Sequence, residues 1–436
     1  MQEAIILVGG KGTRLRPLTN HTPKPLLGVA GSSFIRHQIA KLMDAGVEHV
    51  VFATSYLASL FEEEFRDFTR ELTISYAVEE VPLGTGGAIR NAARLLDGPA
   101  DASVLILNGD ILSGVDLGTL LERHAQREAD VTLHLTRVPD PRAFGLVPTD
   151  GSGRVLSFLE KPKTAEECVT DQINAGCYVF RRSVLDAIPA DREVSVEQET
   201  FPQLVARGGR VFGHTTDDYW RDLGTPLAFV HGSADLVTGK AVSPLVRRPT
   251  EALVHPTAVV DPTARVTGGS TIGPRAVIGA HVVVERSIIS GGVTVSEGAR
   301  IHESVVDHDS TIGSESVLRE VVVGCHAHIG AQNELPALAV SLQRAADALT
   351  GGDAPRIQAA LTEIRSIGRD QNIRVDVLQR ALAVLKDQPA LASADPRGHA
   401  RLVERAETVI HSMAQRDELK RWRDPLGTQA QADRTR

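Results

Sequence analysis

Short apolar runs alternate with stretches of helical periodicity through the first half of the chain. Ala4 to Val8, His49 to Thr54 and Ser103 to Asn108 read as buried strands, and Phe34 to Ala45 as a helix. Val131 to Leu135 and Cys177 to Phe180 continue the strand pattern. Such alternation requires a mainly parallel sheet flanked by helices, so residues 1–239 are expected to form an α/β domain.

Pro244, Arg247, Arg248 and Pro249 then punctuate a polar stretch, read as a linker over 240–252. A different rhythm follows. Val254, Val260, Val266, Ile272, Ile278 and Val284 recur every six positions, and Val295, Ile301, Ile312 and Ile329 resume the pattern after offsets. Gly273, Gly279, Gly313 and Gly330 each follow an apolar position. A six-residue period with small residues in tight corners describes three-sided coils that stack Val and Ile inward, and it predicts a left-handed parallel β-helix over 253–332. A β-sandwich would instead show alternation and hairpin turns at wider spacing.

After Gly330 the spacing becomes helical, at Leu335, Leu338, Leu342, Ala345 and Leu349, then at Ile357, Leu361, Ile364, Val375, Leu378, Leu382 and Leu385. An α-helical C-terminal region is expected over 333–436, with its last polar residues disordered.

Composition narrows the functional classes. The 436 residues are 42% hydrophobic and 23% charged, the balance of folded domains. Aromatic residues at 4% argue against stacking platforms for single-stranded nucleic acid, and a formal charge of -8 leaves no broad basic face for a polyanion. Cys168, Cys177 and Cys325 cannot all pair and lack metal-ligand spacing, so each is read as a buried thiol in a reducing cytoplasm. Met1 runs almost directly into a strand, and no apolar run approaches membrane-spanning length, so neither export nor membrane insertion is expected.

The chemistry concentrates in Val8-Gly9-Gly10-Lys11-Gly12-Thr13-Arg14-Leu15-Arg16-Pro17, followed by Pro23-Lys24-Pro25. A glycine-rich loop after the first strand lets backbone N–H groups close on phosphate oxygens, and a helix N-terminus is expected to follow it. Neither the Walker ending nor the dinucleotide fingerprint is present. The segment resembles the signature of the sugar-nucleotide pyrophosphorylases, nearest to the GDP-mannose pyrophosphorylases among them. Leu83-Gly84-Thr85-Gly86-Gly87, Asn108-Gly109-Asp110, Phe144-Gly145, Glu160-Lys161-Pro162, Asn174-Ala175-Gly176 and Trp220-Arg221-Asp222-Leu223-Gly224 follow in that family's order. The resemblance covers residues 1 to about 330 and implies a Rossmann-like nucleotidyltransferase domain followed by the β-helix.

A sugar phosphate is already dianionic near neutral pH, so it needs no protein nucleophile; positioning and charge neutralisation must carry catalysis. Arg14 suits a triphosphate grip and Lys24 suits a crowded transition state. Asp110 and Asp222 offer hard oxygens for Mg²⁺. The resemblance implies the same metal pair, places Lys161 on the sugar phosphate, and directs Gly145, Glu160 and Asn174 toward sugar hydroxyls. It also directs Val8, Gly9, Gly10, Gly12, Thr13, Gly84 and Thr85 toward the nucleotide. Singly, each charge could be a solvated surface group or a turn residue. Glu79 accepts hydrogen bonds only, which favours the N–H donors of guanine and hence GTP, with Glu80 able to exchange roles.

Mannose 1-phosphate is the favoured acceptor. Glucose, heptose or cyclitol 1-phosphates with GTP, UTP, dTTP or ATP would use the same machinery. His124, His134 and His231 are read as structural; the resemblance implies a homo-oligomer formed through the β-helix, whose open end the tail could protect or whose contact it could replace. Two rivals remain: a non-catalytic regulatory subunit, and an acyltransferase using His302, His308, His326 or His328.

Overall fold

The computed structural model describes residues 2–336, apart from 11, 21, 55–57, 67–71, 80, 161, 163, 165–166 and 191. It contains two compact units, one of 1–258 with 266–275 and 285–291, the other of 259–265, 276–284 and the described residues from 292.

In the first unit the apolar runs become strands close to their expected limits. These are β1 (Gln2–Leu7), β2 (Val47–Thr54), β3 (Thr73–Val78), β4 (Ser103–Asn108), β5 (Ile111–Ser113), β6 (Val131–Arg137), β7 (Gly145–Leu146), β8 (Leu159–Glu160), β9 (Gln172–Arg181), β10 (Val211–Thr215) and β11 (Trp220–Asp222). The helices that matter for the site are α1 (Phe34–Asp44), α2 (Gly84–Ala93) and α3 (Pro226–Val237).

The main sheet runs β8-β7-β9-β4-β1-β2-β3, with β6 also paired to β9 and β10 to β6. Its β4-β1-β2-β3 part is parallel, but β9 enters antiparallel to both β4 and β6. The sheet is therefore mixed, where the apolar runs alone read as mainly parallel. An apolar run records burial of both faces and not strand direction.

Alternate residues of β1 feed two cores. Ala4 and Ile6 pack with Ile35, Ile39 and Leu42 of α1, whereas Ile5 packs with Ile89, Ala92 and Ala93 of α2. Strands β1, β2 and β3 proceed in one direction and β4 returns to the other side of β1. The carboxyl ends of β1 and β4 thus form a topological switch point, the usual ligand crevice of such sheets.

Residues 240–252, read as a linker, are partly docked: Ser243 is buried and its Oγ lies 2.7 Å from His37 Nδ1. Of the three cysteines only Cys177 is buried, with its thiol pushed up to about 12 by burial; Cys168 is half-buried and Cys325 exposed. The expectation of three buried thiols is corrected accordingly. No described helix is long and apolar enough to cross a membrane.

Residues 252–336 form short strands in three parallel sheets visited in rotation, as a β-helix requires. Ile278, Val284, Val295, Ile301 and Ile312 are buried at their six-residue positions. The offsets have a simple origin. Val259 pairs with Val277, eighteen residues on, whereas Val277 pairs with Thr294 and Thr294 with Thr311, seventeen on. One side of each later coil is therefore a residue short, and its core positions, Ile289, Val306 and Val323, fall five residues after Val284, Ile301 and Leu318.

The corners differ from expectation. Left-handed backbone occurs at Arg275, His281, Arg286, Glu303, Asp309, Glu315, Glu320, His326 and Gln332, with φ between 43 and 59°, while glycine takes it at Gly268, Gly269, Gly292 and Gly298. Gly273 and Gly313 serve stacking instead. A Cβ on Gly313 would lie 2.4 Å from the backbone of Ala331, and one on Gly273 2.7 Å from Gly291 N. Leu335, counted in the helical spacing, belongs to the strand Glu334–Pro336 paired with Val317–Arg319, so the repeats outlast the expected end at 332. The remainder of the expected α-helical region, 337–436, lies outside the described residues.

The coil stacking makes a direct prediction. Gly313→Ala should destabilise the protein by about 1–3 kcal/mol, the range for overpacking, whereas Glu315→Gly at a left-handed corner should be neutral or stabilising. Paired thermal melts of the two variants would check this, and equal losses would contradict the division of roles.

Candidate active site

The loop after β1 is shaped by its glycines and prolines. Val8 N–H donates to Ala53 O at 2.9 Å, Gly10 is exposed, and Gly12 takes φ 57°. Thr19 Oγ1 donates to Gly12 O at 2.8 Å, and a Cβ on Gly12 would meet Thr19 and the Cβ of Lys24 at 3.0 and 3.2 Å. The expected helix N-terminus does not follow. Short 3₁₀ turns, Thr13–Leu15, Leu18–Asn20 and Lys24–Leu26, replace it, because Pro17, Pro23 and Pro25 remove the N–H groups a longer helix would use. Lys11 lies outside the described residues.

This loop delivers Lys24 to two carboxylates. Its Nζ donates to Asp110 Oδ2 at 2.9 Å and lies 3.7 Å from Asp222 Oδ1, with the residue only 7% exposed. Asp110 follows β4, and Asp222 ends β11, which pairs antiparallel with β5 so that Asp222 stands opposite Ile111. Leu223 N–H donates to Asp110 O at 3.0 Å, and Gly109 N–H to Leu7 O at 2.9 Å. A Cβ on Gly109 would come within 2.5 Å of Leu7 O, so glycine is what lets the Asp110 turn reach the end of β1.

Arg14 joins the same group. A Cβ on Gly224 would lie 2.6 Å from Arg14 Nη2 and 2.8 Å from Asp222 Oδ1. The side chain that Gly224 lacks is the space the guanidinium uses. Burial foremost, and the neighbouring Asp110 charge, raise the Asp222 pKa above the usual carboxylate value, against the opposing pull of Lys24 and Arg14. Two crowded carboxylates of hard oxygen character suit a divalent cation. A second group, Glu3, His49 and Asp97, also brings ligand atoms together. There Glu3 Oε1 already accepts from Asp97 N–H at 2.9 Å and contacts His49 Nδ1 at 3.0 Å, and Oε2 accepts from Gly98 N–H at 2.9 Å. That network is satisfied without a metal.

The remaining expected residues fall on neighbouring edges. Glu79 is half-buried; its Oε2 accepts from Leu83 N–H at 3.1 Å, and burial raises its pKa. Gly84 opens α2 with φ 69°, where a Cβ would meet Val194 O at 2.6 Å. Thr85 Oγ1 donates to Glu197 Oε2 at 2.7 Å and accepts from Val196 N–H at 2.9 Å, so its hydroxyl is engaged within the protein. Glu80 and Lys161 lie outside the described residues.

Gly145 of β7 pairs with Glu160 of β8. Asn174 lies where β9 breaks register; its Nδ2 donates to Tyr178 Oη at 2.8 Å and its Oδ1 accepts from Gly176 N–H at 3.1 Å. Trp220 of β11, missed as a site residue, donates from Nε1 to Ala175 O at 3.0 Å and meets Phe144 edge-on at 5.4 Å. It ties the Asn174 bulge to the strand carrying Asp222. Of the histidines read as structural, His124 bonds Thr132 and His134 bonds Thr216, with burial pulling their pKa values down to about 4 and about 3.

A doubly wound sheet whose switch point gathers two cations and two carboxylates beside a glycine-rich loop defines a protein built to handle phosphate esters. The chain belongs to the nucleotidyl transferase family, whose model matches residues 3–239, and the model of the GMPPB C-terminal domain matches 249–342. It is 54% identical over 256 residues to a mannose-1-phosphate guanylyltransferase of Mycobacterium tuberculosis, covering 58% of this chain and 70% of that one. It is 36% identical over 233 residues to the mannose-1-phosphate guanylyltransferase catalytic subunit beta of Xenopus tropicalis, covering 53% of this chain and 63% of the relative. A crystal structure of HddC from Yersinia pseudotuberculosis matches with a TM-score of 0.46 and 26% identity, over 53% of this chain and 98% of that one.

Because Asp222 holds its proton more tightly when folded than an ordinary carboxylate does, its ionisation costs stability, and the metal-free protein should lose stability as pH rises through the raised pKa. Asp222→Asn keeps an acceptor for Gly224 N–H and removes that cost. In EDTA at pH 7 it should raise Tm above that of wild type. A lower Tm would show that the pairing with Lys24 outweighs the burial cost.

Proposed function

We propose that the protein transfers GMP from GTP to mannose 1-phosphate, giving GDP-mannose and pyrophosphate. The observation that carries this reading is the convergence of Arg14, Lys24, Asp110 and Asp222 at one switch point. The names of the relatives support guanylyl transfer and mannose in particular.

The loop residues Val8, Gly9, Gly10, Gly12 and Thr13 would turn backbone toward the triphosphate, with Gly84 and Thr85 shaping the far wall. Arg14 would hold the phosphates by its planar fork, and Lys24 would stabilise charge accumulating at the α-phosphorus. The acceptor phosphate attacks there as pyrophosphate leaves, so the protein supplies orientation and charge and no covalent intermediate. Asp110 and Asp222 would hold Mg²⁺, which when bound would neutralise phosphate charge. Lys161 would pair with the sugar phosphate, and Gly145, Glu160 and Asn174 would meet sugar hydroxyls. Glu79, with its acceptor-only carboxylate, would receive guanine N–H donors. Its raised pKa means that this recognition strengthens as pH rises and the carboxylate ionises.

The left-handed sense of the β-helix, a homo-oligomer built through it, and a cytoplasmic location belong to the same reading.

Pyrophosphate release should be measured over the common nucleoside triphosphates against mannose, glucose, heptose and cyclitol 1-phosphates. The strongest activity is expected with GTP and mannose 1-phosphate, falling by about 10²–10³-fold in Asp110→Asn or Asp222→Asn, as for loss of one preorganised electrostatic group. Undiminished turnover in both variants would refute the metal assignment. Glu79→Gln should raise KM for GTP by roughly tenfold, the scale of one lost base contact, with kcat nearly unchanged.

A further inference from the structure

The turn that carries Asp110 is held from behind by α1. Gln38 Nε2 donates to Asn108 O at 2.9 Å and to Ile111 O at 3.1 Å, the carbonyls on either side of Gly109 and Asp110. One turn of helix further on, Lys41 Nζ donates to Ser113 O at 2.6 Å, so both ends of β5 are tied to the same helix. Since β5 pairs with β11, its position also sets that of Asp222.

Gln38 is an expensive residue for this place. It is only 6% exposed, and its Oε1 is buried without a hydrogen-bond partner. A buried, unpaired amide oxygen is destabilising, and Met or Leu would fill similar volume without it. What an apolar residue cannot do is donate to the two carbonyls that flank Gly109 and Asp110.

We infer that Gln38 is a positioning residue for the proposed transfer: by bridging the Asn108 and Ile111 carbonyls it fixes the Asp110 carboxylate where a divalent cation is to be held. The inference rests on the metal assignment to Asp110 and Asp222. Gln38 touches neither substrate nor metal and acts through the backbone alone.

Gln38→Met and Gln38→Glu would be compared with wild type and with Ile39→Val, a core change on the same helix. Three quantities would be read on the full chain: Mn²⁺ binding by electron paramagnetic resonance without substrates, the Mg²⁺ dependence of turnover, and Tm. Gln38→Met is expected to weaken Mn²⁺ binding about tenfold and to lower kcat with little change in KM for the sugar phosphate. Gln38→Glu, with at most one O–H donor, should fall between. Ile39→Val should lower Tm without moving the metal dependence. Wild-type Mn²⁺ affinity in a folded Gln38→Met protein would overturn the inference. Failure of both Gln38 variants to fold would also overturn it, by making Gln38 a determinant of the fold itself. Absence of metal-dependent turnover in wild type would count against the proposed function instead.

Discussion

A single buried ammonium organises the catalytic half of this protein. Lys24 lies 2.9 Å from Asp110 and 3.7 Å from Asp222, and without it two carboxylates would face each other across a strand pair. Two unit charges about 4 Å apart interact by roughly 4 kcal/mol at the effective dielectric of a protein surface. The three groups therefore constrain one another: the loop after β1, the turn after β4 and the end of β11 must meet at one point. Under the proposed function, a metal-bound triphosphate entering there would find charges already arranged, with little reorganisation left for the chemical step.

Close approach makes that meeting possible. At Gly109, Gly176 and Gly224 a Cβ would strike, respectively, the Leu7 carbonyl at 2.5 Å, the Asn108 amide at 2.8 Å and the Arg14 guanidinium at 2.6 Å. Each glycine lies where one segment crosses another at the switch point. Trp220 performs the complementary task with bulk, joining Ala175 and Phe144 to the strand that bears Asp222. The proposed sugar and metal residues are thus linked through β11, which gives a physical route by which sugar fit could influence phosphate alignment.

The β-helix follows a different economy. Its rungs repeat a buried Val or Ile, and its corners place charged residues in left-handed backbone at a cost of about 1–2 kcal/mol each relative to glycine. Stacking offsets that cost. Ser270 and Ser304 add to it, since their hydroxyls accept from Ser287 N–H and Val321 N–H, each seventeen residues on, at 3.1 Å.

Much was legible in the sequence because it depends on local pattern. Apolar runs marked β1, β2 and β4 to within a residue or two, and the hexapeptide rhythm marked the coils, since burial and side-chain period are written in composition. The charged residues of the candidate site that lie together, Arg14, Lys24, Asp110 and Asp222, stand in ordered motifs. Strand direction was not legible: β9 runs antiparallel to both β4 and β6; the offsets in the rhythm were visible, but that they make one side of each later coil a residue short follows from the stacking register. The roles of Gly224, Trp220 and Gln38 were hidden for the same reason. A missing Cβ, an indole N–H or a side-chain amide has no meaning until a segment distant along the chain arrives beside it, and that juxtaposition is decided by tertiary packing alone.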